Sequence, residues 1–318
     1  MFRNTALLIL SLSLLSTAAE RQTIGAPKLE GEVGAGEGPS WDPKGYLYFS
    51  GSGKISRRDA AGKVEVFRDQ PGAGGPNGIL VDPQGRLVVN ESGARRVTRT
   101  ERDGSVTVLA DNYEGKKFNS PNDLAIDSKG RIYFTDPRYG RRDTMEMTVE
   151  GVYRIDGPQK VTRIINGEVN RPNGILVSPD DRYLYVADNN NNNVGGARKL
   201  FRFDLKPDGS VDLASRKLIF DWKTGRGPDG LKMDRKGILY VAAGLNSPHP
   251  PHETIDEFKG GIYVLSPAGE LLEFIAIPKD EVTNCAFGGP DLKTLYITAG
   301  GSLWSIQTKT AGRITARP

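Results

Sequence analysis

Residues 172–188 read PNGILVSPDDRYLYVAD, and the order of residue types in this stretch decides the fold. Pro172 and the amide of Asn173 open it. An apolar run (ILV) follows, then a polar turn (SPDD), then a second run rich in aromatic and β-branched residues (YLYVA). Both runs have strand length, and the Ser, Pro and Asp between them mark the turn of a β-hairpin. The phrase recurs as GEGPSWDPKGYLYFS (36–50), PNGILVDPQGRLVVN (76–90), PNDLAIDSKGRIYFTD (121–136), PDGLKMDRKGILYVAA (228–243) and TNCAFGGPDLKTLYITAG (283–300). The last copy varies the turn, with Gly-Gly-Pro-Asp at its centre.

The polar residues that fall in register are Glu37, Asn77, Asn122, Asn173, Asp229 and Asn284. Their separations of 40, 45, 51, 56 and 55 residues suit one repeated unit with loops of different length. Further strand–turn–strand stretches lie between the copies, such as RRVTRTERDGSVTVLA (95–110) and LFRFDLKPDGSVDLA (200–214). Each unit then holds about four strands, the content of one propeller blade. The expected fold is all-β, a six-bladed β-propeller occupying residues 20–318 as one domain. A two-sheet sandwich would not yield six copies in register, and helical periodicity is missing. Residues 27–33 are expected to supply the outermost strand of the last blade and so hide the free sheet edges. The Asn-rich run 188–193, followed by Gly195-Gly196, reads as an inter-strand loop.

Residues 1–19 read differently from the rest. Arg3 precedes the apolar run ALLILSLSLL (6–15), and the small residues STAA (16–19) follow. This is the order of a secretory signal peptide, and the run is too short to span a bilayer. The expectation is an exported protein, periplasmic or secreted, with no membrane span. The chain has 43 Lys and Arg against 39 Asp and Glu, a net charge of +4 that becomes +3 once Arg3 is removed with the leader. That excess is spread along the chain, so nothing favours nucleic acid as a partner. A single cysteine, Cys285, excludes an intrachain disulfide framework and a cysteine-built zinc site.

In a propeller the first strand of each blade lines the central channel, so residues in register form a ring about the axis. Here the ring carries two carboxylates, Glu37 and Asp229, and four amides, Asn77, Asn122, Asn173 and Asn284. Two anions held so close repel unless a cation neutralises them. Carboxylate and amide oxygens are ligands for a hard divalent cation, Ca²⁺ before Mg²⁺ or Mn²⁺. Zn²⁺ is a further alternative, although imidazole and thiolate are scarce. Asn-Gly and Asp-Gly are also turn dipeptides, which gives the register a second reading. Glu37 before Gly-Pro and Asn284 before Cys do not fit that reading. The two histidines, His249 and His252, fall in the Pro-rich stretch SPHPPHETIDE (247–257), read as an exposed loop rather than a metal site.

The stretches SPNDLAIDSKGRIYFTDPRYG (120–140), RPNGILVSPDDRYLYVADN (171–189) and TNCAFGGPDLKTLYITA (283–299) resemble the gluconolactonase/regucalcin (senescence marker protein) family, in particular its bacterial gluconolactonase branch. The resemblance runs from about residue 36 to 306. It implies a six-bladed propeller with a catalytic divalent metal, and hydrolysis of sugar lactones. By position it assigns Glu37, Asn173 and Asp229 as metal ligands, Asp229 also as the base, and Asn122 as a pocket residue that binds substrate or water. Animal members carry an arginine where this chain has Ser120, so their specificity does not transfer.

Opening a lactone needs a polarised carbonyl, an activated water and a stabilised oxyanion. Asp229 is the expected base, with Glu37 chiefly neutralising the ion. No G-x-S-x-G motif is present, which disfavours a serine esterase. Arg138 and Tyr139 follow the third hairpin and are candidates for contacting a sugar ring, or else for capping the turn between Pro137 and Gly140. Arg95 and Arg96 read as solvent-facing strand charges. Beside a metal-dependent lactonase acting on a small sugar lactone, two other classes fit the sequence. One is an enzyme of the same scaffold acting on another carbohydrate or ester, and the other is a non-catalytic ligand-binding propeller.

Overall fold

The computed structural model describes residues 20–69 and 75–314. The expected leader at 1–19 lies outside the described residues. Every regular element among them is a β-strand, and the strands form six four-stranded antiparallel sheets. Each copy of the repeated phrase supplies the innermost strand and its neighbour. The innermost strands are Glu37–Asp42, Pro76–Val81, Leu124–Ile126, Pro172–Val177, Leu231–Met233 and Val282–Gly288. The chain is a six-bladed β-propeller.

The ring closes as the N-terminal segment suggested, by a longer strand. Thr23–Ala35 pairs antiparallel with Gly301–Thr308 and forms the outer edge of the sheet begun by Val282–Gly288. Glu273 of the fifth blade secures the lead-in, accepting from Gln22 N at 2.6 Å, Thr23 N at 3.0 Å and Thr23 Oγ1 at 2.5 Å. One carboxylate thus satisfies three donors about 250 residues away in sequence.

The core lies between blades, because side chains alternate across each second strand. Val88 packs with the third blade and Val89 with the first. Tyr133 faces the fourth blade and Phe134 the second, while Tyr240 faces the sixth and Val241 the fourth. All of these are fully buried. Each large apolar side chain so buried is worth about 1.5–3 kcal/mol. Six such clusters, one per interface, hold the blades in the fixed register that the axis requires.

The glycines of the repeated phrase serve this packing. A Cβ on Gly78 would lie 2.4 Å from Asn122 O, and one on Gly174 would lie 2.0 Å from Asp229 O. Neither glycine has a positive φ. The Asn-Gly pairs at 77–78 and 173–174 are therefore strand residues, and the turn reading fails for them. The missing side chain lets adjacent inner strands touch backbone to backbone.

Candidate active site

Each inner strand starts at one end of the channel, the mouth, and ends about six residues later at the hairpin turns, a distance of roughly 17–20 Å. All six residues of the predicted ring sit within two residues of the strand starts. Backbone and side-chain hydrogen bonds pass from blade to blade there. Gly78 N donates to Asn122 O at 2.8 Å, and Gly230 N donates to Thr283 O at 2.7 Å. Buried hydroxyls and amides on the second strands reach the next blade: Ser50 Oγ to Asn77 O, Asn90 Nδ2 to Asp123 O, Thr135 Oγ1 to Asn173 O. These bonds fix the backbone that carries the ring.

The ring side chains are only partly satisfied. Glu37 Oε2 accepts from Gly38 N at 3.0 Å and Asn284 Nδ2 at 3.1 Å. Asn173 Nδ2 donates to Tyr139 Oη at 2.8 Å. Within the ring, Asn77 Oδ1, Asn122 Oδ1, Asn173 Oδ1 and Asp229 Oδ1 are buried with no hydrogen-bond partner, four of the ten such oxygens among the described residues. A buried acceptor without a donor costs about 1–3 kcal/mol, and all four belong to the one axial ring. Asn284 differs, since its Oδ1 accepts from Cys285 N at 2.9 Å and lies 3.4 Å from Lys232 Nζ. Its place in the ring is to hold Glu37.

Burial and mutual repulsion dominate the electrostatics. Burial, then the negative charge of Asp123, pushes the Glu37 carboxyl up to about 7. Asp229 stands well above the usual carboxylate range, first through burial and then through Glu37, with Arg226 opposing. Burial and the charge of Asp229 also raise the Tyr139 hydroxyl. The donor set fits a hard cation: two carboxylates that repel, and amide oxygens with open lone pairs. Among the described residues no three His, Cys, Asp or Glu side chains gather as a metal centre. A cation at the mouth would therefore need the asparagine oxygens.

The structure brings Tyr139 to the ring and gives Arg138 a different place. Arg138 donates to Arg141 O, Asn119 O and Thr144 Oγ1, at 2.7, 2.9 and 2.6 Å, and so ties the loop on which Tyr139 is carried. Arg95 pairs with Glu146 and Arg96 with Glu91, so both expected surface charges are held in ion pairs. His249 lies 3.4 Å from Glu253, which in turn binds Arg226 at 3.1 Å.

Several residues at the mouth were not singled out in the sequence. Asp136 accepts from Asn119 N and Ser120 N at 2.8 and 2.7 Å, and Asp188 accepts from Asn170 N and Arg171 N at 2.8 and 3.0 Å. Each fixes the turn leading to a ring asparagine, Asn122 or Asn173. Their positions in the third and fourth copies, YFTD and YVAD, were the available signal. Burial is the main reason their carboxyls are raised, to about 7 and about 6. Arg226 rims the site, held by Glu253 and by Glu281 at 2.9 Å. Asp123, beside Asn122, occupies the position that is glycine in the first, second, fourth and fifth copies.

Comparison with known proteins places the fold and the family. A gluconolactonase of Zymomonas mobilis is 34% identical over 306 residues, covering 87% of this chain and 79% of its own. The pentonolactonase XacC of Haloferax volcanii is 26% identical, covering 84% of this chain and 81% of its own. The solved structure of a gluconolactonase from Xanthomonas campestris superposes with a TM-score of 0.74 at 30% identity, covering 89% of each chain. The profile of the SMP-30/gluconolactonase/LRE-like region matches residues 35–301, a span that takes in all six ring positions, and the chain belongs to that family.

Proposed function

We propose that this protein is a metal-dependent lactonase that opens a sugar lactone at the channel mouth. The observation that carries the reading is a set of four buried, unpartnered oxygens, one of them on Asp229, beside the half-buried carboxylate of Glu37. Relatives of similar length that bear the names gluconolactonase and pentonolactonase support the choice of substrate class. The apolar leader at 1–19 is the sole support for placing the reaction outside the cytoplasm.

Glu37, Asn173 and Asp229 would hold the cation, with Ca²⁺ the best match to the donor set. When bound there, it supplies a Lewis acid for the lactone carbonyl and for the charge that gathers on its oxygen. The chain's own residues do the rest. Asn173 is oriented by Tyr139, which takes its amide hydrogen and leaves Oδ1 free. Asn284 orients Glu37 in the same manner. Asp229 accepts a proton, on the carboxylate oxygen that the cation would not take, from the water that adds to the carbonyl carbon. The ring C–O bond then breaks, and that proton passes to the departing oxygen, giving the open hydroxy acid. Asn122 and Tyr139 line the space where the sugar hydroxyls would lie.

The test is hydrolysis of glucono-1,5-lactone and related aldonolactones, corrected for spontaneous opening, with chelator and with Ca²⁺ restored. The expected result is loss and recovery of turnover. Wild type that opens no aldonolactone with Ca²⁺, Mg²⁺ or Mn²⁺ present would overturn the reading.

A further inference from the structure

One carboxylate at the axis has no part in the mechanism above. Asp123 is 3% exposed. Its Oδ1 accepts from Leu124 N at 2.9 Å, and its Oδ2 is buried with no partner. Its backbone is fixed on both sides: Asp123 N donates to Thr135 Oγ1 at 3.1 Å, and Asp123 O accepts from Asn90 Nδ2 at 3.0 Å. The side chain lies against the second blade, since a Cβ on Gly78 would be 3.1 Å from Asp123 Oδ1. Its charge is nevertheless felt at Glu37, Asp229 and Cys285, on the first, fifth and sixth blades. Asp123 follows the ring residue Asn122 directly and lies against Gly78 of the next inner strand, which sets it beside the axis.

Lys232 is the cationic counterpart. It lies on the inner strand of the fifth blade, three residues past Asp229, with Nζ 3.1 Å from Leu231 O and 3.4 Å from Asn284 Oδ1. Its charge too is felt at Glu37 and Cys285. Arg226 does not add to this set, because Glu253 and Glu281 already hold it. Counted by formal charge, Glu37, Asp229, Asp123 and Lys232 sum to −2. That value is matched by one divalent cation.

We propose that Asp123 and Lys232 form a charge-setting layer beneath the ring, which fixes its affinity for a single divalent cation without ligating it. The proposal rests on the reading of the mouth as a cation site. It gives a reason for aspartate where four other copies have glycine, and for lysine on an otherwise apolar inner strand (LKM, 231–233). An anion held in this low-dielectric channel strengthens binding of a cation beside it, and an ammonium weakens it.

Calorimetric Ca²⁺ titration of chelator-treated full-length protein tests the layer, comparing wild type with Asp123→Asn, Lys232→Met and the double variant. Asp123→Asn should weaken binding on the order of tenfold to a hundredfold, and Lys232→Met should tighten it by about tenfold. The double variant should fall between the two. Melting curves with and without Ca²⁺ report whether each variant folds. If Asp123→Asn does not fold, the direction of the Lys232→Met shift decides. Wild-type affinity in Asp123→Asn, or looser binding in Lys232→Met, would overturn the layer while leaving the cation site standing. Absence of Ca²⁺ binding by wild type would instead remove the site and the layer together.

Discussion

At the turn end of the channel, Asp127 accepts from Lys129 N and Arg131 N, both at 3.0 Å, from Arg131 Nε at 2.5 Å and from Tyr133 Oη at 3.0 Å. At the mouth, in the fifth blade, Asp229 leaves Oδ1 buried with no donor at all. Asp82 repeats the first pattern on both oxygens, while Asp234 takes two backbone N–H groups on Oδ1 and leaves Oδ2 buried without a partner. The two ends are built from the same few residue types on the same strands. What separates Asp127 and Asp82 from Asp229 is whether the fold supplies donors to both oxygens. An acid that closes its own turn belongs to the scaffold, and an acid that the scaffold leaves open is available to a ligand.

Substitution of one acid from each end should split activity from stability. Asp229→Asn keeps an oxygen in place and removes basicity. At saturating Ca²⁺, its lactone turnover should drop by about 10²–10⁴-fold, the usual cost of losing a general base. Turnover equal to wild type would assign the base elsewhere. Asp127→Ala should do the reverse. Loss of its hydrogen bonds leaves buried donors unsatisfied, which should cost about 1–3 kcal/mol in urea unfolding. Turnover of the folded fraction should remain near wild type, because the substitution is far from the mouth. A large fall in turnover at full folding would erase the distinction between the ends.

The smallest expected effect is a pH dependence confined to the mouth. Burial and neighbouring anions raise Glu37 from its ordinary 4.5 to about 7 in the folded protein. The unfolded chain therefore gives up this proton first as pH rises. The stabilisation is full below about 4.5 and is lost as pH climbs through about 7. Metal-free wild type, compared with Glu37→Gln, should lose a few degrees of melting temperature across that interval. Saturating Ca²⁺ should flatten the difference by favouring the carboxylate. A difference curve that rises with pH in chelator would show that Glu37 is not the strained acid described here.

The sequence carried the blade count because each blade repeats one phrase, and a repeat shows its own register. For the same reason it carried the ring: identical strand positions meet at one axis. It could not show which way an amide turns. Asn173 and Asn284 look equivalent in the chain, yet Tyr139 frees the oxygen of one while Cys285 and Lys232 engage the oxygen of the other. Gly78 and Gly174 left a turn reading open beside the ring, because the proximity of the next blade's backbone has no local signature. Arg138 looked as able to face a ligand as Tyr139. Only the loop acceptors around it, supplied from residues 119, 141 and 144, distinguish the two.

Closure by Thr23–Ala35 also has a consequence for the protein's birth on the ribosome. Of the propeller's strands, the one that seals the ring is made first and its partner Gly301–Thr308 last. By the time Asn284 has been added, all six ring residues exist, but the first strand still has nothing to pair with. Through most of translation the nascent chain carries a 13-residue edge with open backbone donors and acceptors, the kind of surface that invites pairing with another chain. A chain released early, even by the length of one strand, would hold every residue of the site and no closed ring to assemble it.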